Sequence, residues 1–146
     1  MKKLLVAAII SLSSISTAAL AEIKVGIILG FTGPIESLTP AMRDGAKLAF
    51  LEASNSGNLL GGETFTILEA DSTCVDSAAA TAAAEQLVAD GVSAIMGADC
   101  SGVTGAINAN VAVPNGVLMV SPSATSPGLS KIADNGTFWR TAPSDA

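Results

Sequence analysis

Ser121, Ser123, Thr125, Ser126 and Ser130 lie in one stretch, SPSATSPGLS, interleaved with Pro122 and Pro127. The stretch follows GVLMV, an apolar run that reads as a buried strand, so it is a loop at a strand's carboxyl end. Its prolines limit backbone freedom, while Ser121, Ser123 and Thr125 present hydroxyls and intervening amides to a cleft. Such a loop suits a small zwitterion. An α-carboxylate can accept from the Thr125 amide and from the hydroxyl of Ser101, which opens a helix. An ammonium group can donate to the Ser123 carbonyl and the Thr125 side chain. The plainer alternative is a proline-rich turn whose hydroxyls are solvated.

Catalytic chemistry has little to work with. The chain contains no histidine to act as base for Ser101 or Cys100, and no carboxylate pair shares an evident loop. Its acidic residues read mostly as solvated helix faces. Two cysteines without histidine make a poor zinc site, so neither metal nor cofactor is expected. GIILGFTG spaces its glycines G-x-x-x-G-x-x-G, which is neither the dinucleotide fingerprint nor a P-loop. Asn135-Gly136-Thr137 matches a glycosylation sequon but reads as a turn.

The elements that must position the loop follow a simple order. Residues 1–21 carry Lys2 and Lys3, the apolar LLVAAII and an Ala19-Leu20-Ala21 ending, the pattern of a cleaved signal peptide. No cysteine follows that site to carry a lipid. Without residues 1–21 the net charge moves from −6 to −8, which argues against nucleic acid and anionic membrane surfaces as partners. In an exported chain Cys74 and Cys100 form a candidate disulfide, the alternative being two buried free thiols.

IKVGIIL, apolar at nearly every position, is a strand buried on both faces. After a loop from Phe31 to Leu38, Thr39-Pro40 predicts an N-cap and first helical residue for a helix to about Ser54. TFTILEA is the second strand, and Asp76 caps an alanine-rich helix stopped by Gly91. SAIMGA is the third strand. A helix from Ser101 ends at Pro114-Asn115-Gly116, GVLMV is the fourth strand, and TFWR begins a fifth. This alternation predicts an α/β fold, a doubly wound, mostly parallel sheet with helices on both faces. Ligands of such sheets lie beyond the carboxyl ends of the strands where strand order reverses. Three loops compete there: GFTGPIESL, DCSG and SPSATSP.

At these residues the chain resembles the periplasmic solute-binding proteins of ABC importers, in the type I group that includes the leucine/isoleucine/valine-binding protein. KVGIILGFTGPIESLTPAMRDGAKLAF is similar to that family's first strand, ligand loop and helix. DSTCVDSAAATAAAEQLVADGVSAIMGADCS is similar to its second βα unit, and SPSATSPGLS and FWRTAPSD follow in order. The resemblance implies that residues 22–146 are the N-terminal lobe of a two-lobed receptor that closes around its ligand by a hinge. Ser101 then matches the serine that binds the ligand carboxylate, and Ser123, Ala124 and Thr125 match the loop gripping carboxylate and ammonium. Leu38 stands where an aromatic often sits, giving an aliphatic pocket wall. Cys74 and Cys100 match a disulfide found in relatives. The implied function is extracytoplasmic capture of a small, branched-chain or similar amino acid for delivery to an ABC permease in the membrane. Rival readings are a sensor lobe, an amide- or urea-binding protein, and an exported serine hydrolase using Ser101 or Ser121.

Overall fold

Strand β1, Glu22–Leu29, is the apolar run identified above, and Ile27, Ile28 and Leu29 within it are wholly buried. A computed structural model describes residues 22–59 and 61–145, so the signal-peptide reading of residues 1–21 lies outside the described residues. The chain continues through α1 (Thr39–Asn55), β2 (Thr64–Asp71), α2 (Ser77–Ala89), β3 (Ala94–Gly97) and α3 (Ser101–Ile107). A π-helical segment, Asn108–Ala112, then leads into α4 (Val113–Asn115) and β4 (Leu118–Ser121). A 3₁₀ turn, Pro127–Lys131, precedes β5 (Phe138–Arg140).

The five strands are all parallel, in the order β2-β1-β3-β4-β5. The chain therefore winds one way from β1 to β2, then reverses past β1 to β3, β4 and β5. Right-handed crossovers translate that reversal into helices on opposite faces, α1 on one and α2 with α3 on the other. The expected doubly wound α/β sheet is the observed one. The main core lies beneath α2 and α3. There Ile28, Leu87, Ile95, Val103, Ile107 and Met119 close against one another.

The opposite face is only partly covered. Alternation along β3 and β4 sends Ala94, Met96, Leu118 and Val120 to the side of α1, and Trp139, in register with Val120, stands 63% exposed. An apolar hollow of about 310 Å³ lies there between α1 and the strands, and no residue lining it has a polar side chain. Along α1 itself, Lys47 pairs with Glu69 of β2 and the Phe50 and Phe65 rings meet edge to face at 5.0 Å.

Two helix starts behave differently. Asp76 caps α2 as its sequence implies, accepting from the amides of Ala78 at 2.9 Å and Ala79 at 3.0 Å. Asp76→Ala should therefore lower stability by about 1 kcal/mol in urea unfolding, with Asp76→Asn close to neutral. The reading of Thr39 as N-cap is corrected. Leu38 holds that position without a side-chain bond, and Thr39 is already helical. Its hydroxyl is buried and donates, to the Gly30 and Glu36 carbonyls at 3.2 Å each, so it ties α1 to the end of β1.

The helix expected from Ser101 is also irregular. Pro114 has no amide proton for the carbonyl one turn back, and the widened π segment immediately before it accommodates that loss. Gly116 then closes the helix in the left-handed conformation, at φ 64°. Asn135 and Gly136 form the expected turn, closed by the Thr137 amide donating to the Asp134 carbonyl at 2.9 Å.

Candidate functional site

The carboxyl ends of β1, β2 and β3 converge on one side chain. Asp99, 3% exposed, accepts from the Gly30 amide at 2.8 Å, the Cys100 amide at 3.0 Å and the Ser72 hydroxyl at 3.2 Å. Reading the acidic residues as solvated helix faces missed it. A carboxylate placed immediately after a parallel strand at the reversal of strand order was the available signal. It accepts from two buried donors, the Gly30 amide and the Ser72 hydroxyl, and from the half-buried Cys100 amide, which fixes the spacing of three neighbouring strand ends.

The disulfide closes over the same point. Cys74 and Cys100 are joined, with Cα atoms 5.2 Å apart, and so bridge the ends of β2 and β3 across β1. Gly30 lies underneath, where an added β-carbon would stand 3.1 Å from Cys74 Cβ and 3.3 Å from Asp99 Oδ2. Thr73 and Cys74 both take positive φ, 57° and 69°. The Asp71 carboxylate supports that bend by accepting from the Thr73 amide at 2.8 Å and the Thr32 hydroxyl at 2.6 Å. Partial burial works to raise the Asp71 pKa, but the hydrogen bonds from Thr32 and Thr73 outweigh it and hold the carboxyl below its ordinary range.

The hydroxyl-rich loop after β4 is fastened to this platform. Ser121 Oγ donates to the Ala98 carbonyl and accepts from the Ala124 amide, and Ser123 Oγ donates to the Asp99 carbonyl at 3.0 Å. The Ser126 amide donates to Ser101 Oγ at 3.1 Å. From β5, Arg140 Nη1 donates to the carbonyls of Ala124 at 3.2 Å and Ser126 at 2.9 Å, and Nη2 to the Ser130 hydroxyl. Thr125, between those two carbonyls, points elsewhere. Its hydroxyl donates to Asp145 Oδ2 at 2.7 Å, and the Asp145 amide returns a bond to the Thr125 carbonyl at 2.9 Å.

Ser101, Ser123 and Thr125 thus belong to one connected cluster at the carboxyl edge of the sheet. Because Ser101 Oγ accepts from Ser126, its own proton is left to donate. Among the described residues neither that proton nor the Thr125 amide meets a protein acceptor. Ala124 is fully buried, with its amide and carbonyl both engaged inside the protein. Leu38, 57% exposed, stands at the head of α1, the helix that Thr39 ties to Gly30. Arg140 and Asp145 were not anticipated, since their partners lie some fifteen to twenty residues upstream. Cys100, once a conceivable nucleophile, is committed to the disulfide.

A periplasmic binding protein family model matches residues 22–146, which is every strand and helix just described. The chain belongs to that family. A Leu/Ile/Val-binding protein of Rhizobium johnstonii is 33% identical over 129 residues, covering 88% of this chain and 34% of the relative. The leucine-specific-binding protein of Salmonella typhimurium is 30% identical over the same length, again 88% of this chain and 34% of the relative. Among solved structures, a branched-chain amino acid transporter substrate-binding protein of Streptococcus pneumoniae, in complex with isoleucine, superposes with a TM-score of 0.76. It is 30% identical, over 85% of this chain and 34% of that one. The chain spans about a third of the length of the relatives it matches. The α/β sheet is that of type I periplasmic binding proteins, and no helix among the described residues is long and apolar enough to cross a membrane.

Proposed function

We propose that residues 22–146 form the N-terminal lobe of an extracytoplasmic receptor that captures a small amino acid and delivers it to an ABC permease. In this reading residues 1–21 are a cleaved export signal and the protein works in the periplasm, the compartment in which the Cys74–Cys100 disulfide persists. The observation that carries the proposal is the bond from the Ser126 amide to Ser101 Oγ, which brings the start of α3 and the β4 loop together. Between them a ligand carboxylate accepts from the Ser101 hydroxyl and the Thr125 amide. The ammonium donates to the Ser123 carbonyl and the Thr125 hydroxyl oxygen, and Leu38 contributes an aliphatic wall. The names of the relatives favour leucine, isoleucine or valine as ligand.

Titration calorimetry on the complete polypeptide, including residues C-terminal to Ala146, tests this reading. It should show binding of at least one aliphatic L-amino acid. Binding of none, with amides and urea also silent, would remove the assignment. Thr125→Ala should weaken the bound amino acid by about 1–3 kcal/mol if the hydroxyl meets a charged ammonium. An unchanged affinity would take Thr125 out of the site.

A further inference from the structure

The loop between β1 and α1 is a chain of short turns held at both ends. Within it the Glu36 amide donates to the Gly33 carbonyl at 3.3 Å and the Leu38 amide to the Ile35 carbonyl at 2.9 Å, so the position of the loop's start is handed on to Leu38. At the far end Thr39 fastens the loop to Gly30. At the near end the fastening is Asp71, the last residue of β2. Its Oδ2 accepts from Thr32 Oγ1 at 2.6 Å, and its Oδ1 from the Thr32 amide at 3.3 Å and the Thr73 amide at 2.8 Å. One half-buried carboxylate thus joins the loop to the turn that carries Cys74. Gly33 permits the approach: at φ 99° it lies against Thr73, whose carbonyl oxygen would stand 2.5 Å from an added β-carbon.

We propose that Asp71 is a positioning residue that, by holding Thr32, sets where Leu38 stands and so how sharply the pocket discriminates among amino acids by side-chain size. This rests on the amino-acid-binding reading above, with Leu38 as its aliphatic wall. Asp71 touches no ligand in this scheme and acts through the loop. Hydrogen bonds to an ionised acceptor are the stronger kind, and two of the three that Asp71 accepts come from Thr32. With that anchor released, residues 33–38 pivot on the Thr39 fastening and the wall recedes. A ligand side chain long enough to reach the wall then loses buried apolar surface, and a shorter one loses nothing.

The test measures the ratio of L-leucine to L-alanine affinity, by direct and competition calorimetry on the complete polypeptide. The parent should favour leucine. Thr32→Val removes the hydroxyl donor at nearly equal size and leaves the bond between Asp71 and Thr73 in place, so it frees the loop without disturbing the disulfide turn. It should lower the ratio about tenfold, the loss falling on leucine while alanine stays within about twofold. Asp71→Ala should lower the ratio at least as far, and the double substitution should add little, because both changes break the same contact. Asp71→Asn, which keeps an oxygen for the Thr32 and Thr73 amides, should recover part of it. A parent that does not favour leucine over alanine, equal weakening of both ligands in the variants, or an unchanged ratio overturns the proposal and leaves the binding function standing. A parent that binds no amino acid removes the function and this inference together.

Discussion

Gly97→Ala should cost about 3–6 kcal/mol of stability, enough to remove most of the folding free energy of a domain this size. Gly97 closes β3 at φ 138°, a conformation that side chains rarely adopt. An added β-carbon would stand 2.0 Å from the Ile28 carbonyl oxygen and 2.8 Å from Ile28 Cγ2. Ile28 is the register partner of Gly97, is fully buried, and sits in β1, an interior strand flanked by β2 and β3. Relief would require β1 to leave its neighbours. Urea unfolding followed by circular dichroism should find little or no cooperative transition. Gly45→Ala in the interior of α1 is the control, because nothing lies within 4 Å of its new methyl and helix propensity should improve stability by about 0.5–1 kcal/mol. If the two substitutions behave alike, the close approach of β3 to β1 is wrong.

Loss of the disulfide comes next in size. Cys74 and Cys100 are separated by 26 residues, and constraining a loop of that length in the unfolded chain contributes about 3.5 kcal/mol. The double substitution to serine, or reduction with dithiothreitol, should lower the urea midpoint accordingly. The native fold should otherwise be retained, since the Asp99 bonds still gather the same strand ends. Thiol titration of the unfolded, unreduced chain should detect no free sulfhydryl. Two reactive thiols would refute the pairing.

Much of this architecture is visible in the residues themselves, wherever an element's signal is local. Successive apolar residues in IKVGIIL announce a strand covered on both sides, and Asp76 lies two and three residues before the amides it caps. Thr39-Pro40 carries an equally clear local signature and misleads. The hydroxyl it offers is drawn to the Gly30 carbonyl, nine residues away, which no helix-capping rule registers. Asp99 shows the same limit more strongly. Its donors come from residues 30, 72 and 100, and only the folded sheet places them side by side. In the β4 loop, the concentration of hydroxyls is legible in the sequence as a candidate site. That several of them first secure the loop, Ser121 to Ala98 and Ser123 to Asp99, depended on long-range partners. Arg140 and Asp145 had no motif to mark them, because each acts on a loop that the chain has already left behind.

The fastening of three strand ends by one buried carboxylate and one covalent bridge also bears on how any ligand would be held. Conformational freedom in these loops is surrendered when the chain folds, so encounter with a solute would demand little further ordering of them. On the proposed two-lobed reading, tightness of capture would then depend on how favourably an opposing lobe arrives, with residues 22–146 serving as the stationary jaw. Substitutions that loosen Asp99 or Cys74 should accordingly appear in the entropy of association before they appear in its enthalpy.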